Sequence, residues 1–259
     1  YGVELGKTTV RSRTVRAGKQ ALSYVDNHRK ELAEAGDSEP STMVVELDGC
    51  HIRTRADASD RVPMLVDDDV SEASDVWREV FTGMVRPLDG GTRTFVCRID
   101  DYPSMAQQLR DVAVAQGLSD EATVVAPADG AFGLRDALER RFDDLEFILD
   151  FPHLQSHVYE TAATLPFNDG RREAWVSSTL DTICRGDVES TLETLHLLED
   201  VTGIHRVSRL RNYLHRFDDS VDYDRYVANG WPIACGEIES AHRYIPQARL
   251  KIPGACWHI

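Results

Sequence analysis

The sequence predicts an α/β fold: a mixed five-stranded sheet with flanking helices and an α-helical insertion before the last helix. Three observations carry this expectation. Five short apolar, β-rich runs occur between residues 43 and 149. The later runs are separated by segments with helical periodicity, the alternation of a mixed sheet with helices on both faces. From about Pro166 to Asp219 the pattern is helical and polar-faced, with Leu192, Leu195 and Leu198, then Leu210, Leu214 and Phe217, at helical intervals.

The first strand is read in Met43 to Ile52, with Asp48-Gly49 at its middle. An acidic loop follows, from Asp57 to about Asp75. Trp77 to Arg86 reads as a second strand, although Trp77, Val80, Phe81, Met84 and Val85 also fit helical spacing. Gly90-Gly91 is a hairpin turn signal and favours the strand reading of both flanks, with Thr92 to Ile99 as the third strand. Pro103 opens a helix that Gly117 closes. Thr123 to Ala126 and Leu145 to Leu149 are the fourth and fifth strands, with a short helix through Leu134, Leu138 and Phe142 between them. Three strands in a meander, then helix, strand, helix, strand and helices, is the order of a ribonuclease-H-like core.

The chain has 259 residues, and 42% are apolar, enough for a sizeable core. No apolar run approaches the roughly 18 residues of a membrane span, so no membrane partner is expected, and a cytoplasmic protein fits best. The five cysteines are odd in number and widely spaced, without a CxxC pair, which argues against a disulfide framework or a zinc ribbon. The first methionine is Met43, which suggests a piece of a longer reading frame.

The net charge of −15 excludes a protein that wraps DNA over its whole surface. The balance is uneven: 27 Asp and 17 Glu stand against only 4 Lys and 25 Arg, as expected of a surface adapted to high salt or of a GC-rich gene. Basic patches must be read locally. Residues 5 to 25 carry Lys7, Arg11, Arg13, Arg16 and Lys19 and no acid, and fit either a DNA-contacting helix or an ordinary basic one. Ala35 to Thr42 is a turn-rich linker. The expected organisation is therefore a basic helical region and linker over 1–42, a first part of the core over 43–165, a helical insertion over 166–220, and a closing part of the core over 221–259.

Three acids stand where that core would place them. Asp48 lies on the first strand, Asp129 at the end of the fourth, and Glu239 on a late helix whose Ile238, Ala241, Ile245 and Ala248 share a face. Taken singly, an Asp-Gly after a strand is by default a turn. Converging carboxylates repel unless a divalent cation lies between them, and oxygen donors suit Mg²⁺ or Mn²⁺ rather than Zn²⁺. Two such ions would clamp a phosphodiester for in-line displacement. Asp150 and His153 follow the fifth strand, on the edge where sites gather in open α/β sheets. His153 and His157 are also spaced to hold zinc, but no third soft ligand is evident nearby.

Asp48-Gly49, Ala128-Asp129-Gly130-Ala131, Ile148 to His153 with His157, and the dense run from Asp222 to Trp257 together resemble insertion-sequence transposases of the Kra type. That run includes Gly230-Trp231-Pro232-Ile233, Gly236, Glu239 to Tyr244, Gln247, Arg249, Lys251 and Gly254. These transposases belong with the Mutator-like DDE transposases. The resemblance covers roughly Met43 to the end. It implies Asp48, Asp129 and Glu239 as the catalytic, metal-binding triad, with Asp150 and His153 as an auxiliary motif. It also implies two Mg²⁺ or Mn²⁺ ions, DNA (transposon ends and target) as partner, nucleoid association when DNA-bound, and multimers on DNA. Arg243, Arg249 and Lys251, beside Arg11, Arg13 and Arg16, are the expected DNA contacts. Glu237 and Pro152 depart from the family pattern, and Pro246 should kink or end the last helix. A nuclease that cuts without joining and an inactive DNA-binding remnant are the alternative readings.

Overall fold

The computed structural model describes residues 12–13, 15–20, 23–24, 40–55, 75–255 and 257. Arg11, most of the linker and the acidic loop from Asp57 fall outside the described residues. Arg13 and Arg16 lie in helical backbone and are exposed.

Five strands form one sheet: β1 (Thr42–Arg55), β2 (Asp75–Pro87), β3 (Thr94–Arg98), β4 (Thr123–Ala128) and β5 (Leu145–Leu149), in the order β3-β2-β1-β4-β5. β1, β2 and β3 are antiparallel neighbours, while β4 runs parallel to β1 and β5 parallel to β4. The meander and the alternation of the later strands with helices are thus as the sequence predicts, and the Gly90-Gly91 turn joins β2 to β3 with both glycines at positive φ. Asp48-Gly49 is not a turn. β1 runs on through it to Arg55, paired throughout with β2.

Alternation along β1 sorts its side chains between two covered faces. Met43, Val45 and Leu47 enter the main core with Phe81 and Val85 of β2 and with Met105 and Leu109 of α1 (Tyr102–Ala115). Gly83 admits that helix: a Cβ there would lie 2.6 Å from the Leu109 side chain. Val44, Glu46 and Asp48 point to the other face, where Met84 of β2 packs with Cys235 and Ile238.

The connections follow from local chemistry. α2 (Leu134–Glu139) links β4 to β5, and α3 (Phe151–Thr164) leaves β5 through the N-cap Asp150, with Pro152 in the first turn where a missing N–H costs nothing. α4 (Asp169–Cys184), α5 (Val188–Thr202) and α6 (His205–Arg216) follow, helical as the pattern predicts, and their Val176, Ile183, Leu195, Val207 and Leu214 join the main core. α7 (Tyr223–Ala228) leads to α8 (Gly236–His242), which carries Glu239. Pro246 does not simply stop the chain's helix. The α-helical register ends at His242, a π-helical turn (Arg243–Gln247) absorbs the proline, and one last turn, α9 (Ala248–Leu250), follows. Among the described residues no helix is long and apolar enough to cross a membrane.

Candidate metal centre at the strand ends

The strand offsets direct the acids to one end of the sheet. Thr42, Met43 and Val44 of β1 lie opposite Thr123, Val124 and Val125 of β4. Continued past that ladder, the same offset sets Asp48 level with Asp129. β4 and β5 pair from Val124 opposite Leu145 to Ala128 opposite Leu149, so the next row sets Asp129 level with Asp150. The described pairing of β1 to β4 stops at Val44, whereas β1 stays bonded to β2. The row therefore sits where two neighbouring strands part, the usual place for a site in an open α/β sheet.

α8 closes this row from the Glu46–Asp48 face. Its entry is fixed by two buried acids from other elements. Asp150 Oδ2 accepts from the Cys235 N–H at 2.7 Å, and Glu46 Oε2 accepts from the Ile238 N–H at 2.7 Å. These are N–H groups that a helix start leaves without an internal partner. One turn later, His242 Nδ1 meets Asp48 Oδ2 at 2.7 Å. Ile238 and His242 are i and i+4, as Glu46 and Asp48 are i and i+2, so one helix face is bolted to one strand face. His242 is 1% exposed, and its Nε2 has no hydrogen-bond partner among the described residues.

Asp150 and Glu46 have opposite electrostatics. Burial pushes the Asp150 carboxyl up, but hydrogen bonds from His153 and Cys235 outweigh it and hold the acid at about 2. Asp150 Oδ1 takes both the His153 N–H (2.8 Å) and His153 Nδ1 (3.1 Å). His153 is raised in turn, first by that hydrogen bond and then by the fields of Asp150, Asp129 and Glu239, which partly offset its own burial. Glu46 has one backbone donor against full burial and is pushed up to about 7.

Asp150, His153, Cys235 and Glu239 form a group whose ligand atoms all lie within 4.8 Å of one another, so together they could hold a metal ion. This is not the trio singled out from the sequence: of Asp48, Asp129 and Glu239, only Glu239 belongs to it. Each of the other two is drawn elsewhere. Asp48 is held by His242, and Asp129 Oδ1 accepts from the Ala131 N–H at 2.9 Å in a tight turn. Glu239 Oε1 faces the Cys235 thiol at 3.8 Å. The three predicted acids nevertheless share neighbours. Tyr102 feels Asp48 and Asp129 as well as its own burial, and His153 feels Asp129 and Glu239.

Cys235 is the soft ligand that spacing could not reveal, because it is 82 residues from His153 and is brought in only by the Asp150 bond. Glu46 and His242 were also passed over. Their signal was present as an alternation of Glu46 and Asp48 on one strand face and a histidine one turn past Ile238. His157 is outside the cluster of ligand atoms, and its ring packs at a tilt against Tyr213 with 4.5 Å between centroids. Glu237 is taken up by Arg86 (2.8 Å) and Arg93 (2.5 Å). Arg243, Arg249 and Lys251 are exposed, and Arg249 bonds the Tyr244 and Ile245 carbonyls.

Gly130, directly after Asp129, has φ +77. A Cβ there would lie 2.7 Å from the Phe217 ring. Gly130→Ala is expected to cost about 2–4 kcal/mol, from left-handed strain plus overpacking, as read by urea denaturation. A loss below about 1 kcal/mol would show that the turn relaxes. Compared with known proteins, the chain matches no family model and no curated sequence.

Proposed function

We propose that the chain is the catalytic domain of a DNA transposase of the DDE type, built on a ribonuclease-H-like core. The observation that carries this reading is the arrangement at the strand ends: Asp129 follows β4, Asp150 follows β5, and the helix bearing Glu239 is bonded to Glu46 and Asp48 of β1. Asp48, Asp129 and Glu239 offer oxygen donors only, which suit a hard divalent cation, while Cys235 and His153 beside Glu239 add softer donors at the edge of the same group. Asp48, Asp129 and Glu239 would hold Mg²⁺ or Mn²⁺, which when bound supplies Lewis-acid polarisation of a phosphodiester.

The chain's own residues do the remaining work. Asp150 orients His153 through Nδ1 and favours its charged form, which leaves Nε2 of a partly exposed ring to donate to a phosphate oxygen. The Asp150 and Glu46 bonds fix where α8 starts and therefore where Glu239 sits. Cleavage at transposon ends and joining of the 3′ end to target DNA would both use this row.

Mn²⁺-dependent nicking of supercoiled plasmid, followed by joining of pre-cut 3′-hydroxyl ends, tests the reading. Asp48→Asn, Asp129→Asn and Glu239→Gln are each expected to lower the rate by at least about 100-fold, since even outer partners of a metal site are worth roughly 10–100-fold. Nicking that survives all three substitutions would overturn the assignment. One observation favours a second reading, an inactive DNA-binding remnant: Asp48 and Asp129 are engaged with His242 and Ala131 rather than with Glu239. DNA binding without any metal-dependent nicking would select it.

A further inference from the structure

An acidic chain that works on nucleic acid needs a local cationic anchor, because the acid row itself repels the backbone it must approach. α6 supplies an unusual surface. Its sequence, His205 to Arg216, contains four arginines and no acid in a chain of net charge −15. Arg206, Arg209, Tyr213 and Arg216 recur at i, i+3, i+7 and i+10, one stripe along the helix, while Val207, Leu210 and Leu214 are buried.

This stripe lines a cleft of about 280 Å³ together with His157 and Asn212. The cleft is smaller than a typical small-molecule pocket, and the guanidinium groups of Arg206, Arg209 and Arg216 on its lining suit one compact anion. Arg206 is ion-paired with Glu160. Arg209 is exposed and makes no hydrogen bond or ion pair with the described residues. Arg216 lies over the Phe217 ring at 4.5 Å. The cleft is positive overall: His157 is lowered by burial first and then by the fields of Arg206, His153 and Arg209.

The cleft is also tied to the acid row. Tyr213 donates its hydroxyl proton to the Asp129 carbonyl at 2.9 Å, and Arg216 donates to the Gly130 carbonyl at 2.6 Å. Two consecutive peptide groups at the end of β4 thus join the cleft to the row. We propose that this cleft binds a backbone phosphate of a nucleic-acid strand and holds the strand beside the Asp48–Asp129–Asp150 row. The proposal rests on the transposase reading for the strand's fate, but the binding itself needs no chemistry. Guanidinium groups suit the task because they meet phosphate oxygens with paired N–H donors.

The test is binding of a fluorescent oligonucleotide to the full chain in EDTA, so that no cleavage intrudes, over a salt titration. Arg209→Ala is expected to weaken binding at every sequence tested and to reduce the slope of log K against log salt by roughly one. Arg209→Lys should restore the slope, since it keeps the charge. Arg209 is exposed and bonded to nothing described, so the variant folds. An unchanged slope and affinity in Arg209→Ala would overturn the proposal. If inorganic phosphate displaced the oligonucleotide as well, phosphate for phosphate, as unlabelled strand does, the cleft would be a small-anion site and the strand assignment would fall. A strand-binding loss in Arg209→Ala alongside nicking that survives Asp129→Asn would leave the cleft standing and sink only the transposase reading.

Discussion

Asp150→Ala is expected to lower the unfolding free energy by about 3–5 kcal/mol. The carboxylate is 1% exposed and holds three groups at once: the His153 N–H, the His153 ring and the Cys235 N–H. The first caps α3, which is worth about 1 kcal/mol. Removing the second leaves a histidine without its partner. Removing the third strands a buried N–H at the start of α8, at about 1–3 kcal/mol. Water cannot easily replace the bond, because Cys235 is buried against Met84 and Ile238. Asp150→Asn keeps one acceptor oxygen and should lose less. Urea denaturation followed by circular dichroism reads the difference, and a loss under about 1 kcal/mol would show that α8 is seated by other contacts.

The pH dependence has a definite sign. Asp150 is depressed from 3.8 to about 2, so its contribution is present above 3.8 and is lost as pH falls through 2. That shift corresponds to about 2 kcal/mol. The gap between the wild type and Asp150→Ala should narrow accordingly in acid. His153 works the other way: it is raised from 6.5, so its contribution is full below 6.5 and fades as pH rises through the folded value. A His153 titration that does not move down in Asp150→Ala would break the link between the two.

The sheet was legible because its signals are local. Alternation in β1, the Gly90-Gly91 turn and the apolar runs of β4 and β5 are each contained in a few residues, and so the strand order could be written down directly. Asp129 and Asp150 were legible for the same reason, as the first residues after buried strands. The cluster around Glu239 was not. Cys235 joins His153 only because Asp150 bonds a peptide N–H from a distant segment, and no spacing rule encodes a side chain reaching a backbone group. Asp48-Gly49 stays in the strand read for it, against the dipeptide's own preference. A dipeptide that favours turns remains extended because β2 pairs with it on both sides, from Cys50 opposite Val80 back to Leu47 opposite Gly83. Tertiary pairing overrides local preference there. Pro246 shows a milder override, since a π-helical turn lets the chain keep a helical path past it.

Glu46→Gln is expected to flatten the stability of the protein between pH 5 and 8. Glu46 is 1% exposed and faces the start of α8, with Glu237 on that helix, Arg86 on β2 and Asp150 at the end of β5 around it. Burial raises it from 4.5 to about 7, ahead of the lowering by the Ile238 N–H. A raised acid stabilises the fold fully below 4.5 and loses that contribution as pH rises through 7. The span corresponds to about 3 kcal/mol. Glutamine keeps an oxygen for the Ile238 N–H and cannot ionise. The variant should therefore match the wild type within about 1 kcal/mol at pH 5 and exceed it by about 2–3 kcal/mol at pH 8. A difference that stays constant across that range would show that Glu46 does not titrate near 7. The same bond positions Glu239 one residue after Ile238. Ionisation of Glu46 strengthens its grip on the Ile238 N–H while adding a charge beside Asp150 and Glu237. If the acid row needs α8 at this height, metal affinity in the wild type should carry a pH step near 7 that Glu46→Gln lacks. A wild-type step that survives unchanged in the variant would show that Glu46 is not its source.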